Sequence, residues 1–180
     1  MTCHTIQISV CTHLCIVKSL NFEQKFYCSR HAKLFGDKPY SYSNTPLSAT
    51  KFSENSFVSD LFNYVTEKFP PFRLNSCFTN FYPYRKSCMP DHSDYEYHID
   101  PESFIITLSL RSERTTHLKR KHSKTLIASV TLSDCMIIIF SKNNQDMYTH
   151  GIAPNYNTRV INDYIPRVSA TFQKLCCAKS

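Results

Sequence analysis

The chain has 180 residues, enough for one domain with a substantial core, and we expect no second domain. Lys and Arg number 21 against 14 Asp and Glu, and the resulting charge of +7 favours an anionic partner such as nucleic acid. A soluble basic protein without such a partner remains the alternative. No apolar run approaches the roughly 18 to 20 residues that span a bilayer, so we expect no membrane partner.

The nine cysteines bear on the redox compartment. The apolar residues near the N-terminus are interrupted at His4, Gln7, Thr12 and His13, so we expect no secretory leader. Thiols stay reduced inside cells. We therefore expect an intracellular, cytoplasmic protein with free cysteines.

Residues 1–35 are the least informative part, and we treat them as an N-terminal extension whose structure the sequence does not define. Ile6, Ile8 and Val10 alternate as in a strand. Cysteines and histidines are frequent here, but they lack the paired C-x₂-C spacing of structural zinc sites, so buried free thiols are the simpler interpretation. These residues are Cys3, His4, Cys11, His13, Cys15, Cys28 and His31.

An extended segment and a helix follow. Residues 36–39, Gly-Asp-Lys-Pro, predict a turn, after which Tyr40 and Tyr42 share one face of an extended segment. Apolar residues then recur every four positions, which predicts an amphipathic helix of about 12 to 15 residues covering a sheet. Ser53 or Asn55 would cap it, and two prolines would stop it. The apolar positions are Phe57, Leu61, Val65 and Phe69, and the prolines are Pro70 and Pro71.

From Leu74 onward the pattern is that of short strands separated by polar loops. The predicted strands are residues 77–82, 104–110, 126–132, 136–140 and 166–172. Several strands after one helix predict an α+β, mainly β fold. The specific prediction is a double-stranded β-helix, the cupin-like jelly roll, covered by the N-terminal helix.

Polar residues in three separate parts of the chain suggest a metal site with room for a cosubstrate. Strand alternation places Arg167 on the polar side of residues 166–172, and it places His92 and Asp94 on a common face. Together with His150, they provide two histidines and one carboxylate, the facial triad of non-heme Fe(II) oxygenases. An arginine on a neighbouring strand suits a cosubstrate that carries a carboxylate. The alternatives are a surface loop at residues 92–94 and a core histidine at 150.

Four segments, taken in order, resemble the AlkB-like dioxygenases, which use Fe(II) and 2-oxoglutarate. They are residues 80–82 (Asn-Phe-Tyr), 92–96 (His-Ser-Asp-Tyr-Glu), 148–154 (Tyr-Thr-His-Gly-Ile-Ala-Pro) and 167–172 (Arg-Val-Ser-Ala-Thr-Phe). A single H-x-D is weak evidence, and His98 and Asp100 form a second copy. The order and spacing of the four segments carry the resemblance. It spans residues 36–175, which we take as the dioxygenase domain, and it leaves 176–180 as a tail.

The resemblance implies a role for each matched residue. Fe(II) would be held by His92, Asp94 and His150, with O₂ as oxidant. Arg167 would bind the distal carboxylate of 2-oxoglutarate. Asn80, Tyr82, Ser169 and Thr171 would line the cosubstrate site, while Tyr40, Tyr42 and Glu96 would contact the substrate base.

The implied activity is oxidative demethylation of 1-methyladenine or 3-methylcytosine, in RNA more than in DNA. The partner would be a methylated single strand. Residues 92–96 are also similar to AlkB-like domains in replication polyproteins of plant RNA viruses. We expect a monomer. The similarity to the viral domains implies, as an alternative, part of a larger polyprotein, located in the host cytoplasm if the branch is viral.

The chain departs from the family pattern at two places. Gln173 stands where the family has a second arginine, which Lys174 or Arg159 would have to replace. Residues 111–114, Arg-Ser-Glu-Arg, replace a small, glycine-containing turn.

Two other functions stay open: a 2-oxoglutarate oxygenase acting on protein or a small molecule, and a catalytically degenerate nucleic-acid-binding module. A basic stretch suits phosphate contacts or merely a solvated loop. It comprises Arg111, Arg114, Lys119, Arg120, Lys121 and Lys124.

Overall fold

A computed structural model describes residues 4–7, 24–26, 30–42, 45–94, 98–155 and 164–176. No helix in these residues is long and apolar enough to cross a membrane. The helices are α1 (Ser56–Lys68) and α2 (Lys142–Met147). The strands are β1 (His4–Gln7), β2 (Gln24–Phe26), β3 (Arg30–Gly36), β4 (Tyr40–Tyr42), β5 (Thr45–Leu47), β6 (Ala49–Thr50), β7 (Ser76–Tyr84), β8 (Met89–His92), β9 (Ile105–Arg111), β10 (Arg114–Arg120), β11 (Leu126–Leu132), β12 (Met136–Phe140), β13 (Tyr148–Ile152) and β14 (Tyr164–Gln173).

Two sheets form the body of the fold. The major sheet has the order β1-β12-β9-β14-β7-β3-β2, with β6 paired to β3, and the minor sheet has the order β11-β10-β13-β8. Strands β4 and β5 form a separate hairpin. Apart from the parallel β3–β6 pair, the major-sheet pairings are antiparallel. The predicted mainly β, jelly-roll fold is confirmed.

The major sheet buries both faces, and strand alternation decides which residue faces which core. On β14, Val168, Ala170 and Phe172 pack in one cluster with the buried face of α1. On the opposite face, residues such as Phe78 and Ile138 share a second cluster with Leu118 and other residues of the minor sheet. The polar residues of β14 therefore face the space between the sheets.

Helix α1 occupies the predicted position. The Asn55 side chain accepts a hydrogen bond from the backbone N–H of Val58 at 3.0 Å, so Asn55 rather than Ser53 is the N-cap. Val58, Leu61 and Val65 form the buried face. The helix ends at Lys68, before Pro70 and Pro71, as the prolines predicted.

Several strands lie beyond the predicted set. Strands β11 and β12 have the predicted bounds, and β7, β9 and β14 differ from prediction by a few residues at their ends. The strands that were not predicted are β2, β3, β5, β6, β8, β10 and β13, and β3 places residues before 36 in the major sheet. Ile8 and Val10 lie outside the described residues, as do the cysteines before Arg30. The described cysteines are free thiols.

The turn between β9 and β10 has an unusual conformation at a non-glycine residue. Arg111 has a φ of 73°, in the left-handed region that glycine adopts most easily. Its backbone N–H donates to a carboxylate oxygen of Asp134 at 2.6 Å. This hydrogen bond supports the conformation of Arg111, in the segment that departs from the small, glycine-containing turn of the family pattern.

The pairing of β8 with β13 depends on a glycine. A Cβ on Gly151 would lie 2.7 Å from the carbonyl oxygen of Met89 and 2.8 Å from a carboxylate oxygen of Asp91. The backbone oxygen cannot rotate away as a flexible side chain can. Any larger residue at 151 therefore pushes the two strands apart, and these are the strands that pair His150 with His92.

We predict that Gly151→Ala lowers the free energy of unfolding by about 1 to 3 kcal/mol, because the added methyl group overpacks the strand pair. Ser129→Ala, on the exposed surface of β11 in the same sheet, should change it by less than about 0.5 kcal/mol. Urea denaturation of both variants measures the difference. An unfolding free energy of Gly151→Ala equal to that of the parent protein would show that the strands tolerate the methyl group.

Candidate active site

Three potential metal ligands meet between the two sheets. His92 is the last residue of β8, Asp94 follows two residues later, and His150 lies opposite His92 on β13. One donor atom from each residue lies within 4.8 Å of the others. The Asp94 carboxylate oxygens are 3.3 Å from Nε2 of His92 and 3.4 Å from Nε2 of His150. Two donors bound at right angles to one ion are about 3 Å apart, so the spacing suits a shared metal.

Neighbouring groups orient both imidazoles. Nδ1 of His92 is 3.0 Å from the carbonyl oxygen of Pro90, which can only accept, so Nδ1 carries the proton and leaves the lone pair on Nε2. The ring of Phe140 stacks on His150 with 4.4 Å between ring centroids. Each ring is therefore oriented by a neighbour that is not itself a donor to the metal.

Burial and mutual charge set the protonation of this cluster. Burial lowers the pKa of His150 to about 4, although the charge of Asp94 opposes the shift, so its imidazole is neutral near pH 7. Burial would raise the pKa of Asp94, but the two histidines and Gln145 outweigh it and lower the pKa to about 2. Burial would lower the pKa of His92, and the hydrogen bond and charge of Asp94 raise it instead. An ionised carboxylate beside a neutral imidazole is a donor set that binds a divalent cation.

Arg167 of β14 is fully buried and faces the same pocket as the three potential metal ligands. Its Nε donates to the hydroxyl of Ser109 at 3.1 Å, and its guanidinium lies 5.1 Å from the centre of the Tyr82 ring. Its Nη1 has no hydrogen-bond partner among the described residues. Burial lowers the pKa of Arg167, while Tyr82 opposes the shift. A buried guanidinium with an unused donor is a site for an anionic ligand.

The triad and Arg167 line one pocket, which is partly open to solvent. Gln173, where the family has its second arginine, also lines this pocket. It is 2% exposed, and its amide nitrogen has no hydrogen-bond partner among the described residues. The pocket thus offers two unused buried donors to a ligand. The other residues predicted for the site that line it are Asn80, Tyr82, Ser169, Thr171 and Tyr40.

Tyr40 is buried in the pocket wall. Its ring meets those of Phe78 and His98 edge-on, with centroids 5.9 and 6.4 Å apart. The side chain of Tyr42 and the whole of Glu96 lie outside the described residues. Of the three predicted base contacts, the structure therefore places Tyr40.

Two residues near the pocket were missed in the sequence. Gln145 of α2 accepts a hydrogen bond from the backbone N–H of Asp94 at 2.8 Å. Arg30 of β3 is buried and donates to the side-chain oxygen of Asn80. Gln145 and Arg30 each form a hydrogen bond with a residue about 50 positions away in the chain, so no local sequence pattern indicates their roles. The nearest signal for Gln145 is its position five residues before His150.

Several other candidates lie elsewhere. Asp100 pairs with Lys174 and has no part in the metal cluster. Lys174 is thereby engaged away from the pocket, and Arg159 lies outside the described residues.

The basic stretch divides into separate roles. Arg114 is buried and donates to the carbonyl oxygens of Tyr84 and Arg85, so it fits neither a phosphate contact nor a solvated loop. Lys119 pairs with Asp91 at 2.6 Å. Arg120 and Lys124 remain exposed at the turn between β10 and β11.

Comparisons with known proteins agree with this geometry. The family model described as the 2OG-Fe(II) oxygenase superfamily matches residues 12–172. The fold is similar to the solved structure of OsALKBH1, with a TM-score of 0.53 and 16% identity over 86% of this chain and 82% of that one. No curated protein matches the sequence. The chain therefore belongs to the 2OG-Fe(II) oxygenase superfamily, as a dioxygenase that uses Fe(II), 2-oxoglutarate and O₂.

Proposed function

We propose that this dioxygenase removes methyl groups from N-alkylated nucleobases, 1-methyladenine and 3-methylcytosine, in single-stranded RNA more than in DNA. The observation that carries the proposal is the pocket itself. It combines a His/Asp/His cluster, a buried guanidinium with an unused donor and a tyrosine in its wall. The likeness in fold to an AlkB homologue and the segments that resemble that family support the choice of substrate.

The metal would be held by His92, Asp94 and His150. Three protein ligands leave room for a chelating cosubstrate and for O₂, which is what distinguishes this triad from a closed structural site. Neutral His150 and ionised Asp94 are the protonation states that ligation needs.

The cosubstrate would lie along β14 and β7. Arg167 would donate to the distal carboxylate of 2-oxoglutarate, because its buried Nη1 has no hydrogen-bond partner among the described residues. Asn80, Tyr82, Ser169 and Thr171 line the same pocket and would supply further polar contacts. Gln173 would add a neutral hydrogen bond where the family has a second cation.

The substrate base would enter beside Tyr40, and Tyr42 and Glu96 are proposed as further contacts. An aromatic residue in the pocket wall suits a base that is unpaired or flipped out of a helix, which is the form in which a methylated ring nitrogen reaches the metal. Arg120 and Lys124, exposed at the β10–β11 turn, are proposed to contact phosphates of the same strand.

Fe(II) held by these residues would supply the oxidation of a C–H bond of the methyl group by O₂, coupled to conversion of 2-oxoglutarate to succinate and CO₂. One oxygen atom enters succinate and the other enters the N–CH₂OH product. The carbon–nitrogen bond of the cationic base then breaks and the hydroxyl proton leaves, which releases formaldehyde and returns the bonding electrons to the ring nitrogen as a lone pair. The protein contributes by orienting the methyl group and excluding water from the pocket.

We predict that Asp94→Ala weakens Mn(II) binding by more than about 100-fold. Loss of a residue that hydrogen-bonds to a metal ligand typically costs about 10- to 100-fold in metal affinity, and loss of the ligand itself should cost more. Asp100→Ala is the matched control, because Asp100 lies in the second H-x-D and pairs with Lys174. Calorimetric titration of both variants with Mn(II) gives the affinities. Parent-like affinity in Asp94→Ala would remove Asp94 from the ligand set.

For the cosubstrate, Arg167→Met should weaken 2-oxoglutarate binding to the Mn(II)-loaded protein by about 10- to 100-fold, the equivalent of one charge-assisted hydrogen bond. The 2-oxoglutarate affinity of Arg167→Lys should lie between those of the parent protein and Arg167→Met, because an ammonium cannot pair with both carboxylate oxygens in one plane. Arg120→Met removes an exposed charge and should leave the affinity unchanged. Equal affinities in all four proteins would place the cosubstrate elsewhere.

The substrate is tested with single-stranded RNA and DNA of matched sequence carrying one 1-methyladenine or 3-methylcytosine. With Fe(II) and 2-oxoglutarate, we expect loss of the methyl group by mass, faster in RNA, and none with Asp94→Ala. Succinate formation without demethylation would point to a protein or small-molecule substrate. Salt-sensitive strand binding without succinate would indicate a degenerate binding module.

A further inference from the structure

Asp94 lies beyond the end of β8, outside the strand pairing that fixes its neighbour His92. The residue that reaches it is Gln145, on α2, whose side chain is buried. The Gln145 carbonyl oxygen accepts from the backbone N–H of Asp94 at 2.8 Å. The Gln145 amide nitrogen donates to the Asp94 carboxylate oxygen Oδ2 at 3.4 Å. One side chain thus contacts both the backbone and the carboxylate of Asp94.

The position of Gln145 in the chain gives this contact a second consequence. Helix α2 ends at Met147, and β13, which carries His150, begins at the next residue. The Gln145 amide therefore connects the loop of one proposed ligand to the segment that positions another. A shift of α2 would move Asp94 and His150 together rather than separately.

The amide is also the chemically suitable group for this position. A carboxylate at 145 would accept from the Asp94 N–H but would repel the Asp94 carboxylate, and a cation would compete with the metal for it. An amide supplies one acceptor and one donor without net charge. It leaves Oδ1, the oxygen facing His92, without competition from Gln145.

We propose that Gln145 is a positioning residue for the metal site, holding Asp94 so that one carboxylate oxygen stays available to the metal. The inference rests on the proposed ligand role of Asp94. It assigns Gln145 no contact with substrate, cosubstrate or metal. Partners behind metal ligands typically contribute about 10- to 100-fold to metal affinity, and that range is expected here.

The test uses the full chain and Mn(II), which accepts oxygen and nitrogen ligands, with Co(II) absorption as a report on coordination. Gln145→Met removes both hydrogen bonds at similar length, and Gln145→Glu keeps the acceptor but adds a charge facing Asp94. Both should weaken Mn(II) binding by about 10- to 100-fold and alter the Co(II) spectrum. Asp146→Asn, an exposed neighbour on the same helix, should match the parent protein.

Thermal unfolding of the metal-free proteins separates a positioning role from a structural one. If Gln145→Met is folded but less stable and binds Mn(II) with parent affinity, Gln145 only supports the fold and the inference is overturned. If Gln145→Met does not fold, Gln145→Glu decides by the same titration. Parent-like Mn(II) binding by Asp94→Ala would instead remove Asp94 from the ligand set. If the protein does not demethylate the oligonucleotides, the proposed substrate is wrong, but the Mn(II) affinities of the Asp94 and Gln145 variants still test the metal site.

Discussion

The active site depends on how closely β13 approaches β8. Gly151 provides that approach, since any Cβ there would press on the carbonyl oxygen of Met89. The same pairing places His150 opposite His92, with 4.4 Å between the ring centroids. Both histidines extend from backbone that is already fixed by hydrogen bonds, so little side-chain freedom remains to be lost when a metal binds. The carboxylate between them is the exception, because Asp94 lies beyond the strand.

The second organising feature is the two-residue period of β14 and β7. Val168, Ala170 and Phe172 face α1, and Arg167, Ser169 and Gln173 face the pocket. A shift of one residue in register would bury the polar set against the helix and expose the apolar set to the pocket. The apolar core behind β14 therefore fixes where the guanidinium points. Packing and ligand binding are determined by the same alternation.

The sequence predicted features whose cause is local or periodic. Helix α1 followed from apolar residues every fourth position, and β14 followed from its alternation. Strand β10 was not predicted because its charged residues mask the alternation of the buried positions Thr116 and Leu118. Arg114 is also buried, and the carbonyl oxygens that accept its hydrogen bonds lie about 30 residues earlier in the chain. Gln145 and Arg30 were missed for the same reason, since a hydrogen bond across about 50 residues leaves no trace in spacing. Their roles become visible only in the folded sheet.

Gln173 changes the electrostatics of the proposed cosubstrate site. An arginine at position 173 would add a second cation to the pocket lining, and its desolvation would cost free energy. With glutamine at 173, Arg167 is the guanidinium that lines the pocket, and burial already lowers the pKa of Arg167. A neutral amide costs less to bury but contributes less attraction to a dianion. Arg30 is a second buried cation, behind Asn80 of the pocket wall. By donating to the side-chain oxygen of Asn80, it turns the Asn80 amide nitrogen, a donor, away from itself. The proposed site thus relies on the neutral donors Asn80 and Gln173 beside the Arg167 guanidinium, so the orientation of these two amides matters as well as charge.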